Sequence, residues 1–128
     1  MPHPRIYSVE EANRVLPRVI ALTEATMNEI ARSQTYWTIE ARHLDEYNAE
    51  IGQAEEGDMI KAAWAQQVAG DFGVVPKGFF TVDFATEDPD VFLCWTYGEP
   101  RVSYQHMAWE SFSHRRPLED VPEGLDEE

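Results

Sequence analysis

Along the first half of the chain Leu16, Ile20, Thr23, Met27, Ile30, Gln34, Trp37, Ala41, Leu44, Asn48 and Ile51 recur at alternating spacings of four and three. That period is one face of an α-helix. Ser8 and Glu11 stand at capping-box spacing ahead of it, with Ile6 and Tyr7 as staple residues, so the helix is expected to start here. Polar interruptions at Thr23, Gln34 and Asn48 point to packing against a partner helix rather than burial on all sides. Such a helix would be roughly 65 Å long at 1.5 Å per residue, longer than a small domain is wide. It must bend or extend into an oligomer, and Pro17 is the expected irregularity.

Gly52 and Gly57 flank an acidic stretch and predict the chain reversal. Asp58 can then cap a second helix carrying Ile60, Trp64, Val68 and Phe72 on one side, stopped by Gly70 or Gly73 before Pro76. From Gly78 onward the period changes to two. Phe80, Val82 and Phe84 form one strand face, and Val91, Leu93 and Trp95 another. The stretch Ala85 to Asp90 has turn composition, and Tyr97-Gly98-Glu99-Pro100 reads as a tight reversal into a third strand, Arg101 to His106. The expected fold is α+β: a long helical hairpin followed by a three-stranded antiparallel meander packed on it.

Tight turns would set the register of that sheet. One face would then collect Phe80, Val82, Phe84, Val91, Leu93, Trp95, Val102, Tyr104 and His106 and cover the helices. The other would collect Phe79, Thr81, Asp83, Phe92, Cys94, Thr96, Arg101, Ser103 and Gln105. This mixed face invites a subunit or a ligand.

At 128 residues and 43% hydrophobic, the chain is expected to form a single domain over residues 1–118. Residues 119–128 read as an acidic, disordered tail. A formal charge of −14 with ten scattered basic residues argues against nucleic acid as a partner. No run of ~20 apolar residues would span a membrane, and MPHPRIYSVEE lacks a signal-peptide pattern. With a single cysteine, Cys94, in an apolar strand, a cytoplasmic location is expected.

The runs YSVEEANRVLP (7–17), Val82-Asp83-Phe84, LCWTYGE (93–99), then His106 and Arg115-Arg116-Pro117-Leu118, resemble the bacterial family called domain of unknown function 2203. The resemblance implies a bacterial cytoplasmic protein and carries no activity. Its polar positions, Asp83, Glu99, His106 and Arg115 or Arg116, are the leading ligand-binding candidates. Two carboxylates and a histidine can hold a divalent metal or act as acid and base if they converge. In the expected register they do not. Glu99 lies in a turn roughly 20 Å from His106 along the strands, and Asp83 and His106 sit on opposite faces. Solvated-turn, capping and edge-strand roles explain each residue on its own.

Glu40 and His43 form a second metal candidate, a Glu-x-x-His pair on one helix face that would need a second copy from a homodimer. Cys94 lies mid-strand with nothing in the sequence to lower its pKa. Phosphate loops, CxxC pairs and GxSxG elbows are absent. The Trp and Tyr residues could line a small-molecule pocket, although their periodic positions suit a core. Two functions follow. One is a non-enzymatic binding or assembly domain that forms a homo-oligomer through its helical stripe and mixed sheet face. The other is a metal- or small-ligand-binding enzyme with its site near Asp83, His106 and Arg115 or Arg116.

Overall fold

The computed structural model describes residues 4–78 and 80–118. The tail expected at 119–128, and Phe79 of the mixed face, lie outside these residues. Two helices, α1 (Val9–Glu40) and α2 (Glu46–Phe72), form an antiparallel hairpin. They are followed by strands β1 (Val75–Lys77), β2 (Thr81–Ala85), β3 (Val91–Thr96), β4 (Tyr104–Met107) and β5 (Arg116–Pro117). The sheet is antiparallel throughout, in sequential order β1-β2-β3-β4-β5. It has five strands where three were expected. The additional ones are short edges: β1 carries Pro76, which an edge tolerates, and β5 is two residues long.

The capping box opens α1 as expected: Glu11 N–H donates to Ser8 Oγ and Ser8 N–H to the Glu11 carboxylate, each at 3.0 Å. The helix continues through Pro17 as one element. It ends at Glu40, however, and the reversal is at Ala41 to Leu44 rather than Gly52 to Gly57. Asp45, which accepts from Asn48 N–H at 2.8 Å, is the N-cap of α2, and both glycines lie inside that helix. Gly52 is there because of a neighbour and not because of a turn. A Cβ at this position would lie 2.4 Å from the Trp37 ring, which packs across the bare backbone. At the other end of α2, Gly73 adopts φ 68° and closes the helix with its N–H on the Ala69 carbonyl.

The core lies between one sheet face and the sheet-proximal half of the hairpin. Leu16 and Val19 of α1, Trp64, Val68 and Phe72 of α2, and Val82, Phe84, Leu93 and Trp95 of the sheet are all buried in it. Thr23, a polar break in the stripe, is the partner of an indole: its Oγ1 accepts from Trp64 Nε1 at 3.0 Å and donates to the Val19 carbonyl at 2.8 Å. Phe80 takes φ 52°, a left-handed conformation unusual for an aromatic residue, and packs its ring edge-on against Trp64 at 5.1 Å.

The β3–β4 connection departs most from expectation. Pairing runs Cys94↔Tyr104, Leu93↔Gln105 and Phe92↔His106, one residue away from what a tight turn would set. Val102 causes the offset. Its N–H donates to Asn13 Oδ1 at 2.8 Å, and its carbonyl accepts from Asn13 Nδ2 at 3.2 Å. With both backbone groups held by α1, Val102 points into the core but does not join the ladder, which begins only at Tyr104. A one-residue change of register reverses every later side chain. Tyr104 and His106 therefore lie on the face away from the helices, not on the core face.

Candidate metal centre

The sheet face away from the helices carries the Asp83, Cys94 and His106 side chains on three successive strands. The ladder places Asp83 opposite Cys94, and Phe92 opposite His106. One ligand atom from each of the three lies within 4.8 Å of the others, and all three residues are buried. His106 Nε2 is 3.0 Å from Asp83 Oδ2, and the imidazole stacks on Phe92 at 6.1 Å between centroids. The expectation that Asp83 and His106 occupy opposite faces is thus corrected, and the physical reason is the register shift at Val102.

The segment after β4 returns along the sheet edge as β5 and brings Arg115 and Phe112 to this face. Arg115 lies between two rings, its guanidinium carbon 4.2 Å from the Tyr104 centroid and 4.1 Å from that of Phe112. It grips Glu99 in a two-pronged ion pair of 3.1 and 2.7 Å, and its Nη1 is 3.9 Å from Cys94 Sγ. Glu99 is fixed on its other side by Thr96 N–H at 3.0 Å, while its carbonyl accepts from Trp95 Nε1 at 2.8 Å. Glu99 therefore reaches the edge of the cluster through Arg115 and does not contact His106. The mixed face thus finds part of its cover within its own chain.

Other candidates separate from this cluster. Arg116 turns outward to Glu110, at 3.2 Å with an exposed side chain. Glu40 is the last residue of α1 and His43 falls in the reversal, so the two share no helical face. Lys77 and Cys94 were not among the expected site residues. Lys77 Nζ is 3.9 Å from Asp83 Oδ2 on a mostly exposed side chain. The alternation of residues already placed Cys94 on one face with Asp83, and that was the available signal. Its apolar strand context favoured a packing role.

A sequence profile described as an uncharacterized conserved protein, DUF2203, matches residues 5–118. The chain belongs to this family. Comparisons of the DUF2203 chain with curated proteins and with solved structures found no match. Among its described residues no helix is long and apolar enough to cross a membrane.

The chemistry of the DUF2203 cluster is limited by its hydrogen bonds. His106 Nδ1 is 2.8 Å from the Met107 carbonyl, an atom that can only accept, so Nδ1 carries the hydrogen. In the neutral ring the Nε2 lone pair then faces the Asp83 carboxylate, and a proton or a cation has to lie between them. Asp83 Oδ1 is buried and accepts no hydrogen bond among the described residues. Burial first, then the Asp83 charge, push the Cys94 thiol up to about 12, against a smaller opposing pull from Arg115. Both ring nitrogens of His106 are engaged elsewhere, so His106 is not placed as a base for that thiol.

Proposed function

We propose that this chain is a metal-binding domain in which Asp83, Cys94 and His106 together ligate a divalent transition ion of the zinc type. The observation that carries this reading is the convergence of three buried ligand atoms, from Asp83, Cys94 and His106, within 4.8 Å of one another, with only the weak thiol donor of Cys94 near the second Asp83 oxygen. A buried polar atom without a partner costs ~1–3 kcal/mol. A cation among the three ligand atoms would satisfy the carboxylate, replace the proton that Nε2 and Oδ2 share, and stabilise the thiolate that burial otherwise suppresses.

The ligand set suits the ion. Sulfur, imidazole and carboxylate are zinc's usual donors, at ~2.0–2.3 Å, so that ligand atoms on one ion are roughly 3.3–3.8 Å apart. His106 Nε2 and Asp83 Oδ2, 3.0 Å apart, would open by a few tenths of an ångström while Cys94 Sγ draws in. The Nδ1–H bond to the Met107 carbonyl is the supporting contact that commonly orients a ligating histidine. Three protein ligands leave a fourth position for water or another donor, and Arg115, 3.9 Å from Cys94 Sγ, and the Phe92 ring narrow the approach to it.

Cobalt(II) substitution tests the reading. Protein purified without chelators should carry close to one equivalent of metal, and Co2+ should give the intense near-ultraviolet charge-transfer absorption of a thiolate ligand. Cys94→Ser should abolish that band, and His106→Ala and Asp83→Asn should weaken retention of the ion, while His43→Ala leaves it unchanged. A wild-type protein that holds no metal after Zn2+ or Co2+ loading would reduce the cluster to a buried histidine–carboxylate pair and end the proposal.

A further inference from the structure

The helical hairpin outruns its sheet. No residue of α1 beyond Ile30 and none of α2 before Trp64 joins the main core cluster, and of the residues between them only Ser33, Ala49 and Ile60 are buried. At ~1.5 Å per residue, α1 is ~48 Å long and extends well past the sheet. Large apolar side chains remain exposed on this outer part, with Tyr47 at 71%, Met59 at 70% and Tyr36 at 53%. Ile39, Leu44 and Ile51 are exposed on the same outer part. Of the exposed side chains, Tyr36 and Met59 share the wall of one groove, and exposed apolar residues that share a surface mark interaction sites.

Between the helices lies a groove of about 610 Å3 whose walls include Tyr36, Trp37, Met59 and Ile60. Trp37 is held in place there. Its ring packs over Gly52, its Nε1 donates to Glu56 at 2.7 Å, and the Tyr36 ring meets it edge-on at 5.0 Å. Ser33 Oγ donates to the same Glu56 oxygen at 2.9 Å, fixing the carboxylate in the groove wall. Glu29 and Glu55 also line the groove, against one cation, Arg32.

The charge around the groove identifies its partner. From Glu29 to Lys61 the outer hairpin holds eight acidic residues against Arg32, Arg42 and Lys61, and six of the eight lie between Asp45 and Asp58, where there is no lysine or arginine. A second copy of this tip would set eight acids against only three bases, so most of the like charges would stay unpaired, in a chain already at −14. We infer that the hairpin tip is a docking site for a basic amphipathic helix of another protein, whose apolar face enters the groove and whose Lys or Arg residues meet the acidic start of α2. Such a helix is read through apolar anchors at i, i+3 or i+4, and i+7, flanked by charges that steer association.

A labelled Lys/Leu amphipathic helical peptide, with a Glu/Leu peptide of the same pattern as its counterpart, makes the test. Fluorescence anisotropy on the full chain should show saturable binding of the Lys/Leu peptide only. Glu50→Gln with Glu55→Gln should weaken it by about tenfold, the loss of ~1.4 kcal/mol, and Met59→Ser should weaken it as well. Neutralising two acids of the β2–β3 turn, Glu87→Gln with Asp88→Asn, should leave binding within about twofold. Circular dichroism confirms that each variant is folded. Equal weakening by the two charge-removing pairs would mean unspecific attraction and overturn the inference, as would equal binding of the Glu/Leu peptide. A homodimer by light scattering that Met59→Ser dissolves would assign the tip to self-association and overturn it too.

Discussion

Replacing Asn13 by alanine perturbs the fold at one point and the candidate site at another. The Asn13 amide holds both backbone groups of Val102, at 2.8 and 3.2 Å, and Val102 is fully buried. In Asn13→Ala both groups lose their partner, at ~1–3 kcal/mol for each buried polar group left unpaired. Alanine recovers ~0.7 kcal/mol through its better helix propensity, and water entering the vacated space lessens the loss further. The net expectation is a destabilisation of ~2–3 kcal/mol, a large share of the ~5–15 kcal/mol typical of a domain. Urea denaturation followed by tryptophan fluorescence measures it. Asn13→Asp is the control, since it keeps the acceptor for Val102 N–H but sets oxygen against the Val102 carbonyl, and it should be no better than alanine. With Val102 released, nothing offsets the β3–β4 register, so His106 should also lose its position beside Asp83 and cross-strand NOEs between Phe92 and His106 should weaken. An Asn13→Ala protein within ~0.5 kcal/mol of wild type, with those NOEs intact, would refute the clamp.

Four shorter predictions follow from other contacts. Thr23→Val keeps the shape but leaves the buried Trp64 Nε1–H without its acceptor, and should cost ~1–3 kcal/mol in the same denaturation assay. Gly57 has open space where a Cβ would go, so Gly57→Ala should stabilise the exposed helix by ~0.5–1 kcal/mol, whereas Gly52→Ala should displace the Trp37 ring and change the near-ultraviolet circular dichroism. Cys94, with its thiol pushed up to about 12 by burial and Asp83, should resist a thiol reagent at pH 8 in the chelator-treated folded protein and react at once after unfolding. Glu110 has its pKa lowered by the Met107 N–H and then by Arg116, so its contribution to stability is present above the ordinary glutamate value of ~4.3 and is lost as pH falls below it. Carbon-detected NMR titration should show the low value, and Arg116→Gln should raise it only in part, because the Met107 bond remains.

The sequence determined the elements wherever local rules and burial agree. The capping box at Ser8, the face of Ile60, Trp64, Val68 and Phe72, and the alternation in Val82–Phe84 and Leu93–Trp95 all lie in the structure as their periods require. The same alternation put Asp83 and Cys94 on one face. Its failures came where a distant contact overrode a local signal. Gly52 and Gly57 carry turn composition, but Asp45 supplies a cap and Trp37 needs the bare backbone at Gly52, so the reversal moved to Ala41–Leu44. Tyr97 to Pro100 predicts a tight hairpin, but Asn13, 89 positions before Val102, takes the backbone groups that such a hairpin would have used. Side-chain parity depends on every residue between two strands, so that one tertiary contact decided which face His106 occupies. Only the tertiary structure could bring it to Asp83 and Cys94, because a clamp between a helix and a loop leaves no period in the sequence.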